Sequence, residues 1–531
     1  MRGFRLLAEV RPVDEDQGDP MTPQEQLAAS RRMHWMNLLE MHATDRGDVE
    51  ALVGTDRRLT WSQVRDQVRA IAAELQRRGV APGDRVFVLS LNSVQYVVAL
   101  AAINTAGAIA VPLNIRSVGA ELDYLIEDSG AVFGFADEMG AARLADATTA
   151  REVPVMRFGD EFEASAASGA ASDPLDVAET ETAFIVYTSG TTSAPKGAML
   201  THLNVLSQVI TTSRMGPAGS AEDTAMIVVP LFHIVALSGM VTAFFNAVKA
   251  VIAPPRVLTN MAALTDMVEA EAVTSMFLVP TLWQAFCSQP GIRERRLGLK
   301  TLSWGASPAT RETLQLMADT FPEAVISAGL GQTEMSPTTT VITGEESLTK
   351  MGSVGRPVSM VSARIVDPEG RDVAPGETGE IVYRGPGLMA GYWNKPERTD
   401  EATFDGWFHS GDLVRQDEDG FVYVVDRAKD IIISGGENIS SVEVEHAVAA
   451  HPKVADASVV GVPHPTWVET PLAIVAPADP ADPPTLEELR DFLSGRLASF
   501  KLPTRLEVMA ELPRNASGKL QKHLLREEFG G

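Results

Sequence analysis

The hydrophobic positions of residues 60–130 follow two periods in turn. Val64, Val68, Ile71 and Leu75 recur at the three-to-four-residue spacing of one helix face, and Gly79 stands where a C-cap is expected. Arg85–Leu91 reads as a buried strand, Ser93–Ala106 as a helix and Ala108–Leu113 as a second strand. Such alternation implies a largely parallel sheet with helices on both faces, because parallel strands need a crossover between them. The most apolar long run, Val97–Leu113, is broken by Asn104 and Thr105. It is a poor membrane span and a good buried helix followed by a strand. No repeat of solenoid period is visible. Residues 164–174, rich in Ala, Ser and Gly, read as a surface loop, and helix–strand alternation resumes over 183–340.

Between 352 and 426 the pattern changes. Turn signals crowd together at Asp367-Pro-Glu-Gly370, Pro375-Gly376, Gly385-Pro-Gly387 and Asp417-Glu-Asp-Gly420. Between them lie the short β-rich runs Ala363–Val366, Glu380–Tyr383 and Phe421–Val425. A small antiparallel unit resembling a barrel is expected here. Beyond 426 the chain reads as α+β, with a helix at Ser441–Ala450 and strands at Ala457–Val462 and Ala473–Ala476. A capping box at Thr485 and Glu488 precedes a helix whose apolar face is Leu486, Leu489, Leu493 and Leu497. The expected fold class is therefore α/β. A large N-terminal domain of doubly wound sheets, with a small β-barrel-like unit at about 352–426, occupies 28–426. A smaller α+β C-terminal domain occupies 427–531. Residues 1–27 are expected to be a flexible leader, with Met21 as an alternative start.

Length and charge narrow the classes. A chain of 531 residues is too long for one ordinary core, and three or so packed units are expected. Hydrophobic residues at 45% and charged residues at 22% are ordinary for a globular protein. The net charge of −25 and the pI of about 4.8 repel nucleic acid and anionic lipid, and no cluster of Lys and Arg offers either a local site. The single cysteine, Cys287, cannot form an intramolecular disulfide. Its apolar surroundings make it a core thiol rather than a nucleophile. No secretory signal is seen, so the cytoplasm is the expected location.

The sharpest local feature is Tyr187-Thr-Ser-Gly-Thr-Thr-Ser-Ala-Pro-Lys-Gly197. The strand-like run Ala183–Tyr187 feeds a loop of glycine and small hydroxyl residues that ends in one lysine. Glycine lets backbone amides approach a phosphate, hydroxyls add donors and the lysine adds mobile positive charge. It is not a Walker A loop, since Lys196 is followed by Gly197 rather than Ser or Thr. On composition alone a plain flexible turn also fits.

The segment resembles the phosphate loop of the adenylate-forming superfamily: acyl-CoA synthetases, adenylation domains of peptide synthetases and firefly-type luciferases. Further motifs of that family follow in order. They are Gly305-Ala-Ser307, Gly331-Gln-Thr-Glu334, Gly406-Trp-Phe-His-Ser-Gly-Asp412, Asp426-Arg427-Ala-Lys429-Asp430, Gly435-Gly-Glu-Asn438 and Pro513-Arg-Asn-Ala-Ser-Gly-Lys519. Each is weak alone, but together and correctly ordered over residues 30–527 they are specific.

The resemblance implies a reaction and a set of roles. A carboxylate attacks the α-phosphorus of ATP to give an acyl-adenylate, and the acyl group then passes to coenzyme A. Thr188, Ser189, Gly190, Thr191, Thr192 and Lys196 would hold the β- and γ-phosphates. Thr333 would donate to the α-phosphate and Glu334 would hold Mg²⁺. Gly305, Ala306, Ser307, Gly329 and Leu330 would border adenine, and Asp412 and Arg427 would hold the ribose. Leu330 is a departure, because the family has an aromatic residue there. Lys519 would be the catalytic lysine of adenylation, carried in by a mobile C-terminal lid that turns about Lys429. In the second step the lid would present Gly435, Gly436 and Glu437 beside the thiol tunnel.

His233 follows Pro230-Leu231-Phe232, where related synthetases have a histidine that gates that tunnel or borders the carboxylate. On the residues alone it is equally a structural histidine. The run Ile234–Ser238 has no carboxylate to meet an α-amino group, which disfavours amino acids. Leu278, Val279, Leu282 and Trp304 are candidates for an apolar acyl pocket, although core positions explain them as well. The expected partners are a small-molecule hydrophobic acid, fatty or aromatic, with ATP and CoA; nucleic acid and stable membrane insertion are not expected, and a homodimer is a family-level expectation. Two alternatives stand beside this one: an acyl-AMP ligase that loads a carrier protein, and a non-catalytic nucleotide or acyl-CoA sensor. The presence of Lys196, Glu334 and Lys519 speaks against the sensor.

Overall fold

The helix expected from Val64, Val68, Ile71 and Leu75 runs from Trp61 to Arg77 with all four buried. Thr60 and Gln63 close a capping box at its start, and Gly79 takes the left-handed conformation just past its end at φ +86°. The structure, a computed structural model, describes residue 22 and residues 31–530, apart from 173–174, 189–194, 213–218, 306–308, 428–429, 435–436, 466, 495 and 515–519. Every residue of the next helix, Val94–Thr105, is buried except Gln95. Asn104 does not break the core. Its amide oxygen accepts from the Trp35 indole at 2.9 Å and its NH₂ donates to the carbonyl of Ala183 at 2.9 Å, so a buried polar group is satisfied where helix and sheet meet. Asp160–Ala166 is helical, which shortens the loop expected at 164–174.

Two sheets form the large part of the fold. In one, the order is Gly391–Tyr392, Lys196–Thr201, Thr182–Thr188, Ile109–Pro112, Arg85–Leu89, Phe133–Ala136 and Val155–Arg157. Its inner ladders are parallel, as the βαβα pattern requires, and the hairpin at 182–201 is antiparallel. The other is built on the parallel strands Glu50–Val53, Lys249–Ile252, Thr224–Ile227, Ser275–Phe277, Thr301–Gly305 and Val325–Gly331.

The antiparallel unit expected at about 352–426 forms, but it does not close into a barrel. Ser353–Pro357 pairs with Thr338–Thr343 on one side and Val422–Arg427 on the other, so the antiparallel strands extend the second sheet. They run on through Trp407–Gln416 and Thr378–Arg384 to an open edge at Ser362–Val366. The splice depends on Gly355, at φ +88°, where a Cβ would lie 1.8 Å from the Val341 carbonyl oxygen.

Beyond 430, five strands form a third sheet. The expected strands at 457–462 and 473–476 are the middles of one long hairpin, Val454–His464 with Val468–Pro477. The helix Ser441–Ala449 is capped by Ser440, and the Thr485–Glu488 capping box opens Leu486–Leu493. Leu489 and Leu493 are buried, with Leu497 packed beside them. Among the described residues no helix is long and apolar enough to cross a membrane. Cys287 is buried in the helix Pro280–Cys287, where burial pushes its thiol up to about 12.

Candidate active site

The strands Thr182–Thr188 and Lys196–Thr201 flank residues 189–194, and their register places Thr188 opposite Lys196. The Thr188 hydroxyl donates to the carbonyl of Lys196 at 3.3 Å. Gly197 is required, since a Cβ there would come within 2.5 Å of Ile185. Both ends of the loop are tied to Asp128, near the end of the helix Ala120–Ser129. The Tyr187 hydroxyl donates to Asp128 Oδ2 at 2.8 Å. The Tyr124 hydroxyl donates to the carbonyl of Pro195 at 2.9 Å and lies 3.3 Å from Asp128 Oδ1. Lys395 pairs with the same carboxylate, and the Trp393 indole donates to the Asp128 carbonyl at 3.1 Å. Burial, reinforced by Asp128, raises the Tyr187 phenol above its usual range, so it stays a donor.

Glu334 lies in the single turn Thr333–Met335, just after Val325–Gly331. The chain doubles back so closely that a Cβ on Gly331 would lie 1.7 Å from the carbonyl oxygen of Pro337. The Glu334 side chain is buried; Oε1 accepts from the Tyr392 hydroxyl at 2.8 Å, and Oε2 has no hydrogen bond among the described residues. Lys196 Nζ sits 4.1 Å from the centre of the Tyr392 ring. Burial lowers the lysine's pKa, and the charge of Glu334 acts against that. An ammonium and a carboxylate therefore flank one aromatic ring beside the glycine- and hydroxyl-rich loop. A half-desolvated ammonium suits phosphate oxygens, and one hard carboxylate oxygen suits Mg²⁺ carried by a nucleotide, so these residues fit both.

The other expected groups lie at strand ends. Gly305 is opposite Gly329, and a Cβ on Gly305 would be 3.2 Å from the Gly329 carbonyl oxygen and 3.4 Å from Phe277. Leu330 follows, half-buried, its carbonyl accepting from the Thr339 hydroxyl at 3.1 Å. Asp412, buried on Trp407–Gln416, is the direct ladder neighbour of Arg427. Two residues expected at one ribose are thus brought together by register.

His233 is half-buried at the N-cap of the helix Ile234–Phe245, its ring 4.3 Å from that of Phe232. Its loop is clamped by Asn92, whose NH₂ donates to the Val229 carbonyl at 2.9 Å and whose oxygen accepts from Leu231 N–H at 2.8 Å. The acyl-pocket candidates divide. Leu278 is fully buried in the core around Trp283, whereas Val279, Leu282 and Trp304 are partly exposed.

The sequence model of the AMP-binding enzyme family matches residues 39–393, and that of the AMP-binding enzyme C-terminal domain matches 443–519. The chain belongs to this family. A feruloyl-CoA synthase from an Amycolatopsis species is 38% identical over 477 residues, covering 89% of this chain and 94% of the relative. A fatty acid–[acyl-carrier-protein] ligase from Streptomyces coeruleorubidus is 32% identical, covering 92% and 95%. Among solved structures, the o-succinylbenzoate CoA synthetase of Bacillus subtilis, in complex with its acyl-adenylate intermediate, superposes with a TM-score of 0.82 at 28% identity. The match covers 92% of this chain and 98% of that one. The same synthetase is also known with ATP and magnesium ion.

In this AMP-binding enzyme several expected site residues lie outside the described residues: Ser189, Gly190, Thr191, Thr192, Ala306, Ser307, Lys429, Gly435, Gly436 and Lys519. Glu437 opens the short strand Glu437–Ile439 of the third sheet, paired with Ile432–Ser434. Residues missed by sequence reasoning are Tyr392, Asp128, Tyr124 and Lys395. The run Gly391-Tyr-Trp-Asn-Lys395, aromatic and basic directly after a turn, was a signal for two of them. Asp128 and Tyr124 stand on an ordinary amphipathic helix and gave none.

Proposed function

We propose that this chain, an AMP-forming acid–thiol ligase, activates a hydrophobic carboxylic acid, fatty or aromatic, and transfers it to coenzyme A. The observation that carries this is the placement of Lys196 and Glu334 on one aromatic ring at the mouth of the phosphate hairpin. The relatives named as feruloyl-CoA synthase and o-succinylbenzoate CoA synthetase support the aryl side of the substrate range.

In the first step a carboxylate oxygen bonds to the α-phosphorus and the bridging bond to pyrophosphate breaks. Both reactants are anionic, so the chain must supply positive charge and oriented donors. Lys196 meets the phosphates with an ammonium already stripped of part of its water, so its attraction to them is little screened. Thr188 to Thr192 add hydroxyls and amides, and Thr333 donates to the α-phosphate. Glu334 would hold Mg²⁺, which when bound neutralises phosphate oxygens. Asp412 accepts from the ribose hydroxyls and Arg427 reaches the ribose from the neighbouring strand. Lys519 bridges the carboxylate and the α-phosphate as charge develops. In the second step the thiol sulfur bonds to the acyl carbon and AMP departs. The C-terminal region turns about Lys429 to withdraw Lys519 and bring Gly435, Gly436 and Glu437 to the tunnel beside His233. A cytoplasmic enzyme, as a homodimer, belongs to the same proposal.

A carrier-protein acceptor is the second reading, favoured by the Streptomyces coeruleorubidus relative. A pyrophosphate-release screen over fatty, aryl and branched acids, with CoA or a phosphopantetheinylated carrier as acceptor, tests both. Acid-dependent release with acyl-CoA as product is expected. Product on the carrier alone would replace CoA by the carrier, and no release with any acid would overturn the assignment.

A further inference from the structure

The segment Met389–Lys395 is bonded through its backbone to the turn that carries Glu334 and to the strand that begins at Lys196. Met389 N–H donates to the carbonyl of Glu334 at 2.8 Å, Ala390 N–H to that of Met199 at 2.9 Å and Trp393 N–H to that of Gly197 at 2.8 Å. One short strap thus fixes the turn that carries Glu334 against the strand that begins at Lys196. Its far end is held at Asp128 by Trp393, Asn394 and Lys395. Tyr392, in the middle, is buried, and its own N–H donates to the Thr399 hydroxyl at 2.9 Å. Its side chain is therefore held with the hydroxyl on Glu334 and the ring face under Lys196.

That arrangement solves a problem of charge. Glu334 is close enough for its charge to favour the protonated form of Lys196, yet among the described residues no ion pair joins them. A direct pair would have to break before either group met a ligand. With the ring between them, the ammonium rests on a π face, a weaker partner than a carboxylate and one that phosphate displaces. The phenol hydroxyl donates to Glu334 Oε1. One carboxylate oxygen is committed to it and the other is left for a cation.

We propose that Tyr392 is a positioning residue for the metal–nucleotide complex. It orients Glu334 toward the divalent cation and keeps Lys196 out of an ion pair with it. The inference rests on the roles given above to Glu334 and Lys196. It concerns binding, so equilibrium titration of the full chain tests it without turnover. Tyr392→Phe keeps the ring and removes the hydroxyl. Calorimetric titration with ATP should show binding weakened about tenfold in Mg²⁺ but changed less than about twofold in EDTA, because only the coupling between metal and nucleotide is lost. Its Tm should stay within about 2 °C of the parent. Tyr392→Leu removes the ring as well and should weaken binding under both conditions. Equal affinities of Tyr392→Phe and parent in Mg²⁺, or equal weakening with and without the metal, would overturn the proposal. Glu334→Gln, titrated alongside, separates the two levels. If it loses the Mg²⁺ effect while Tyr392→Phe keeps it, only the role of Tyr392 fails. If it keeps the full Mg²⁺ effect, the role given to Glu334 fails and the proposal with it.

Discussion

The phosphate hairpin and the region beyond 430 are attached to the rest of the molecule in opposite ways. The hairpin is part of a seven-stranded sheet, its inner face belongs to the main hydrophobic core, and both loop ends converge on Asp128. Beyond 430 the apolar clusters start afresh: no cluster of described buried residues includes side chains from both sides of that point. What crosses the junction is polar. The Asp426 carboxylate accepts from Ser441 N–H at 2.6 Å and its hydroxyl at 2.9 Å, and the Ser440 hydroxyl donates to the Val425 carbonyl at 2.7 Å. Apolar burial is lost only by exposing surface, whereas polar contacts can be exchanged for water at little net cost. One region is thus fixed by apolar burial, and the other meets its neighbour through contacts that water can replace.

The largest effect is expected where the region beyond 430 is proposed to act on the hairpin. Lys519→Ala should lower acid-dependent ATP–pyrophosphate exchange by about 10²–10³-fold, the cost of removing one group that meets developing charge. Thioester formation from supplied acyl-adenylate should survive. Equal loss of both activities would mean that the C-terminal region does not serve the first step separately. The complementary break is at the proposed pivot. Lys429→Pro, which fixes φ and removes an N–H, should slow the thiol half-reaction about tenfold and leave adenylation within about twofold. Unchanged kinetics in both halves would remove Lys429 as the pivot.

Asp128 tests the other side of the comparison. Asp128→Asn keeps the shape but removes the charge that pairs with Lys395 and receives Tyr187. The loop ends should loosen, raising KM for ATP about fivefold with kcat nearly unchanged, and leaving a half-buried ammonium unpaired should cost about 2 kcal/mol of stability. A fall in kcat at constant KM would show that Asp128 does not act through nucleotide positioning.

The elements that the chain announced were those with local causes. Thr485 and Glu488 make a cap wherever they fall at that spacing, and Val64, Val68, Ile71 and Leu75 bury one stripe whatever they pack on. The barrel was misjudged because strand order is a long-range property. Nothing near Ser353–Pro357 says that it pairs with 338–343 as well as 422–427. The same division runs through the site. Lys196, Glu334, Asp412 and Arg427 stand in motifs whose chemistry is local, and the ladder that pairs the last two only completes it. Tyr392 and Asp128 act through partners far along the chain, Glu334 and Tyr187 among them, so their roles emerge only once the sheet is assembled.

The mildest way to separate the two regions is acid. His202 follows the phosphate hairpin directly, buried at the start of the helix His202–Thr212, with its ring 5.2 Å from the buried ring of His34. Burial, with a smaller contribution from His34, pushes the His202 imidazole down to about 3. Burial likewise lowers His34, although Glu179 and Asp176 favour its charged form. In the unfolded chain each histidine takes up a proton near pH 6.5, about its ordinary value, while the folded chain does not. The unfolded state then binds more protons, so stability is complete above that pH. It falls as the pH drops below, by up to about 1.4 kcal/mol per unit for each histidine, until His202 protonates in place. Hydrogen-exchange protection factors, with the pH dependence of the intrinsic rates divided out, should therefore fall in 196–212 from pH 7 to pH 5, and fall more than in the hairpin 454–477. His202→Leu, which fills the site without titrating, should flatten that difference. An unchanged acid dependence in the variant would show that these histidines do not set the acid limit of the fixed region.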